Sequence, residues 1–147
     1  MNPFLLPPQQ RLTHWKDFRS NLNQKSEMDQ LSAVADYWQW PPLKTMAYDP
    51  ESLDLLPTPW EMIANNDWCK NSVAVGMEFT LRLIGWDVNR MTIKMMRDYD
   101  ISDQKLVLEI DEKHLLNYDY GVVTEIPNTR FDFISSWRFI GRNYQRI

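Results

Sequence analysis

Apolar residues recur at helical spacing through the first part of the chain and in short, strand-like runs through the last. Trp15, Phe18 and Leu22 mark one helical stripe, and after Ser26 a second runs through Met28, Leu31, Val34, Ala35 and Trp38. Pro41 and Pro42 stop that second helix, because proline lacks a backbone donor and restricts the residue before it. Residues 41–57, with Pro50 and Pro57, form a long irregular connection. Thr58-Pro59-Trp60-Glu61 then joins an N-cap, a proline at the first helical position and a glutamate three after the cap, so a short helix should run to about Asn65. The next helix starts near Cys69, with Val73, Gly76, Met77, Thr80, Leu81 and Ile84 on one face and Gly85 as its terminal glycine.

Strand texture follows at 91–96, 105–110, 113–118, 121–126 and 136–140, with polar turns between. Helices first and strands second predict an α+β fold, with N-terminal helices and a central cysteine-bearing helix packed on a mostly antiparallel sheet. Three regions are expected. Residues 1–10, with Pro3, Pro7 and Pro8 around Phe4, Leu5 and Leu6, form an extended arm; 11–56 form a helical extension and long loop; 57–147 form the core.

Composition narrows the function classes. A length of 147 residues suits one domain with a real core, and seven Trp, six Tyr and six Phe supply large packing surfaces. The formal charge of -4 and pI near 5.1 argue against a general nucleic-acid role, which needs a basic face. One cysteine cannot form an internal disulfide, and with two histidines a dedicated metal site is hard to assemble, so neither metal nor cofactor is expected. The N-terminus has no basic region and too few apolar residues for a signal peptide or membrane span, and the chain reads as soluble and intracellular in origin.

Candidate chemistry centres on Cys69. A helix N-terminus carries partial positive charge and favours thiolate over thiol. Hydrolysis would further require a histidine as base, an Asn or Asp to orient it, and oxyanion donors. The stretches 58–63, Asp67-Trp68-Cys69 and Phe79-Thr80-Leu81-Arg82-Leu83-Ile84-Gly85-Trp86 resemble the bacterial transglutaminase-like (papain-like) cysteine proteinase family, as do the strands after them up to Thr124-Glu125-Ile126-Pro127. The resemblance begins after Leu56; no motif matches before it. It implies a cysteine helix followed by strands carrying the histidine and the orienting residue. Lys105 falls on the family's histidine place, and lysine cannot shuttle protons near neutral pH without a large pKa shift. Asn117 or Asp119 falls on the orienting place, while Lys70 and Asn71 replace the acidic residues that follow the family's cysteine. The resemblance is thus to a degenerate member, in which Cys69 is a buried, unreactive thiol. The alternative is an active thiol hydrolase with Cys69 as nucleophile, His114 as base and Asn117 or Asp119 as orienter, cleaving peptide or isopeptide bonds.

The same texture resembles proteins of tailed bacteriophages. That implies a structural part of the neck, tail or baseplate, found in the virion or, before assembly, in host cytoplasm. Partners would be other proteins of a large assembly, met through Phe4, Leu5, Leu6, Trp38 and Trp40. A weaker reading is a binding module that holds an extended peptide in the vestigial cleft beside Trp68. The acidic loop Arg97-Asp98-Tyr99-Asp100 with Asp103 reads as a solvated turn, and Arg138, Arg142 and Arg146 as exposed charge.

Overall fold

The computed structural model describes residues 2–44, 49–100, 102–127 and 130–147; residues 45–48 of the expected 41–57 connection lie outside the described residues. Helix α1 (Pro8–Leu22) is followed by α2 (Glu27–Tyr37), whose first turn is capped by Ser26 Oγ accepting the Asp29 N–H and carries Glu27 and Asp29 at its positive end. A 3-10 segment at Pro50–Leu55 leads to α3 (Pro59–Asn65), which opens with the expected reciprocal cap between Thr58 and Glu61 and ends on Asn66 in the left-handed region. Helix α4 (Ser72–Leu83) is central and buried along most of its length.

Six antiparallel strands follow: β1 (Met91–Asp98), β2 (Asp103–Ile110), β3 (His114–Leu116), β4 (Thr124–Glu125), β5 (Phe131–Ile140) and β6 (Asn143–Arg146), in the spatial order β4-β3-β2-β1-β5-β6. Side chains alternate between faces. Ile93, Met95, Leu106, Leu108 and Ile110 join the main core with Val73, Ala74, Met77 and Leu81 of α4, while Met96, Val107 and Leu115 form a second cluster with Tyr118, Phe131 and Phe133. The α+β architecture with a central helix on an antiparallel sheet is therefore as expected, but that helix begins at Ser72 and does not bear Cys69, which lies in the turn before it. All five expected strands are found with shifted ends, β5 most of all, and β6 was missed. A register shift between Met95 and Met96 breaks the alternation of β5 against β1, which hides residues 131–135 from a period-2 reading, while β6 has only four residues.

The N-terminal arm is a correction. Phe4 is 2% exposed, and its ring lies 5.5 Å from Tyr37, 5.6 Å from Trp38 and 6.0 Å from Trp68. Arg11 locks the arm down, donating to the carbonyls of Leu6 (2.6 Å), Ile63 (2.7 Å) and Ala64 (2.7 Å), the last two at the end of α3. Trp15 and Trp38 each donate an indole N–H to Thr80 Oγ1 on α4 at 3.1 Å. Residues 2–44 thus share one core with the sheet. Phe4 and Trp38 are core residues and offer no interface, Leu6 is half-buried, and Leu5 and Trp40 remain exposed. Asp98 is also buried and accepts the Tyr118 hydroxyl at 2.9 Å, so the loop it begins is less solvated than its composition predicts.

Candidate functional site

Cys69 lies in the turn just before α4, with α4's first residue, Ser72, three positions on. The turn and helix start are joined reciprocally. The Cys69 N–H donates to Ser72 Oγ at 2.8 Å, the Ser72 N–H donates to Cys69 Sγ at 3.4 Å, and the Val73 N–H donates to the Cys69 carbonyl at 3.3 Å. The sulfur thus closes the turn that leads into α4, whose own N-cap, Asn71, makes no side-chain cap bond. The side chain is fully buried, at 0% exposure. In acyl transfer the nucleophile's own N–H is a natural oxyanion donor. Here it is bound to Ser72 Oγ.

The turn is held against the sheet at both ends. Lys70 Nζ donates to the Gln104 carbonyl at 3.2 Å and stands 3.6 Å from Asp103. Asn117, in the left-handed region just past β3 (φ 67°), donates its amide to the carbonyls of Lys70 (3.1 Å) and Leu106 (2.8 Å). On the other side, Leu43 bridges Trp68 in parallel, the Lys44 N–H reaches the Trp68 carbonyl at 2.9 Å, and Lys44 pairs with Asp67 at 2.7 Å. The structure therefore brings Cys69 and Asn117 into one neighbourhood, on two elements that the chain pattern placed correctly.

The other expected members are elsewhere. Lys105 shares the parity of Val107 and lies on the sheet face away from α4, where its ammonium donates to the Tyr118 carbonyl at 2.9 Å and sits 5.5 Å and 5.7 Å from the Tyr118 and Tyr120 rings. A base must come within hydrogen-bond reach of the thiol. On β2 the residues of α4-facing parity near the turn are Gln104 and Leu106, neither of which can serve. The placement of Lys105 beside the thiol is thus corrected by one residue of strand parity. That parity was legible, since Lys105, Val107 and Glu109 alternate with Leu106, Leu108 and Ile110.

His114 pairs with Ile110, four residues along β2 from the Leu106 carbonyl that Asn117 binds, which is roughly 13 Å at ordinary strand rise. It lies beside Asp111 at the far end of the β2–β3 hairpin. His14 stacks on Tyr37 across the aromatic layer on α1. Asp119 is exposed in the turn after Asn117. The constellation Cys69, His114, Asp119 is not assembled, and Asn117 spends its donors on two main-chain carbonyls. Among the described residues no three His, Cys, Asp or Glu side chains are grouped to hold a metal ion.

No protein-family model and no curated protein matches the chain. Solved structures do. Calcium-bound Legionella pneumophila LapG superposes with a TM-score of 0.73 at 17% identity over 96% of this chain and 81% of that one. A second LapG structure gives 0.71 at 18% identity, and an EGTA-treated form 0.70 at 17%, each over 86% of this chain and 72% of LapG. The first match takes in most of residues 1–56, for which no motif was found. At such identity a likeness speaks for architecture and not for chemistry, and what it shows is that this chain has the transglutaminase-like α+β fold.

Proposed function

We propose that the chain is a non-catalytic component of a protein assembly, a phage virion part built on a transglutaminase-like fold. The observation that carries this reading is the state of Cys69: enclosed, bonded within the turn before α4, and on a sheet end where the strand positions facing it are Gln104 and Leu106. The neck, tail or baseplate setting rests on the resemblance of the sequence texture to tailed-phage proteins. Co-sedimentation tests it: a native lysate of the source is fractionated by size and the chain located by mass spectrometry. Travel with virus particles in fixed stoichiometry is the expected result, and confinement to the small soluble fraction overturns the assembly reading.

A second reading is favoured by the neighbour. LapG is a bacterial cysteine protease of this fold, and a thiol hydrolase would use Cys69 as nucleophile. Iodoacetamide labelling of the native chain separates the two, because a nucleophilic thiol must be reachable as thiolate. Labelling only after denaturation supports the non-catalytic reading, and rapid native labelling lost in Cys69→Ala supports the hydrolase.

A further inference from the structure

A cleft of about 240 Å³ opens between α1, α2 and the N-terminal turn, on the side of the helices remote from the sheet, and Pro3, His14, Phe18, Tyr37, Trp40 and Asp36 line it. Its wall is a ring stack. Phe18 lies 4.2 Å from Tyr37 at 18° and His14 lies 5.8 Å from Tyr37 at 26°. Trp40 is 46% exposed, although the neighbouring Trp38 is 1% exposed. The Asn2 amide reaches the Trp40 carbonyl at 3.4 Å, which ties this exposed tryptophan to the N-terminal turn.

Two acceptors stand in this aromatic setting. The Nδ1 atom of His14 is buried and has no hydrogen-bond partner, an omission that native proteins rarely tolerate without a reason. Asp36 accepts Gln39 Nε2 on Oδ1 at 2.8 Å and has its other oxygen for a further donor. Arg19, the arginine on the same helix, lies over the Trp15 ring at 4.3 Å and does not line the cleft. Only the Asp36 carboxylate is open to the cleft, and aromatic faces beside an exposed carboxylate suit a cation that carries N–H donors.

We propose that the cleft between α1 and α2 receives the lysine side chain of a protein partner, with its ammonium against the open oxygen of Asp36 and its stem against Trp40. A protein source fits the surroundings, because Leu5, in the same N-terminal turn as Pro3, is 81% exposed and extends the apolar rim beyond the cleft itself. Exposed tryptophan beside apolar residues is the usual make-up of an interface anchor. The inference does not depend on whether Cys69 is reactive.

The test is a titration of the intact ¹⁵N-labelled chain with Nα-acetyl-lysine methylamide, read at the Trp40 indole resonance, assigned by its loss in Trp40→Phe. Saturable movement of that resonance is expected, with Asp36→Asn weakening the affinity about threefold to tenfold. The matched norleucine amide, which keeps the stem and lacks the charge, should leave the resonance in place, and tetramethylammonium at equal ionic strength, which lacks N–H donors, should bind more weakly than the lysine amide. Absence of saturable movement, an equal response to either control, or an unchanged affinity in a well-folded Asp36→Asn chain overturns the proposal.

Discussion

Asn117 donates its side-chain amide to the carbonyl of Lys70 at 3.1 Å, so a residue just past β3 holds the residue that follows Cys69. The same amide binds the Leu106 carbonyl at 2.8 Å, and Asn117 is 6% exposed. Asn117, expected from the sequence as an orienter of a histidine, acts here as a clamp between main-chain segments.

Asn117→Ala should remove both bonds and leave two buried carbonyls without a donor, at a backbone position that also disfavours a Cβ-bearing residue without a local hydrogen bond. A loss of about 2–4 kcal/mol in urea unfolding is expected. Asn117→Asp should cost more than the alanine, since a carboxylate would then face two carbonyl oxygens. Wild-type stability in either variant would show that the clamp contributes nothing.

Thr80 is the shared acceptor for Trp15 and Trp38, and it donates to the Gly76 carbonyl at 2.7 Å. Thr80→Val keeps the shape and orphans two buried indole N–H groups, with an expected cost of about 2–4 kcal/mol. Thr80→Ser should recover most of it, which distinguishes the hydrogen bonds from the packing. Thermal unfolding of the pair is the measurement.

Gly76 faces Trp38 so closely that an added Cβ would stand 2.7 Å from two carbons of its six-membered ring. In an exposed helix Gly→Ala stabilises by about 1 kcal/mol. Here Trp38 is buried and held by Thr80, so Gly76→Ala is expected to destabilise by about 1–3 kcal/mol and to alter the near-ultraviolet dichroism of the tryptophans.

Tyr144 donates its hydroxyl to Glu78 Oε1 at 2.7 Å. Burial first, and then the Glu78 carboxylate, push its pKa well above the usual tyrosine value. An unfolded tyrosine titrates near about 10, so above that pH the unfolded chain releases a proton that the folded chain retains. Stability from this group is complete below about pH 10 and declines as the pH rises toward the folded value. Tyr144→Phe should therefore flatten the alkaline decline, at a neutral-pH cost of about 1–2 kcal/mol. An unchanged alkaline slope would refute the assignment.

Much of the fold was legible along the chain because its signals act within a few residues. Ser26 and the Thr58–Glu61 pair announce helix starts through amides three positions away, and the run of apolar positions from Val73 to Leu81 marks α4 as the buried helix. The strands with clean alternation, β1 and β2, were found, whereas the start of β5 was not, since a bulge changes which face each residue takes, and the four-residue β6 is too short to show a pattern. Cys69 was legible as a candidate from its place ahead of a buried helix, and Asn117, with Asp119, from the family resemblance. Ser72, which binds both the N–H and the sulfur of Cys69, was missed, although its spacing of three is that of a capping pair.

The sequence by itself determined the class of fold, the helix caps and the scarcity of groups able to serve as a base, because each follows from residue type and local spacing. The tertiary structure alone decided that the Phe-Leu-Leu arm is folded in, that His114 sits at the wrong end of its hairpin and that Asn117 is a clamp. Those outcomes depend on register and the packing of segments distant in the chain. Such relations are set by which surfaces can be buried together, and no local pattern encodes them.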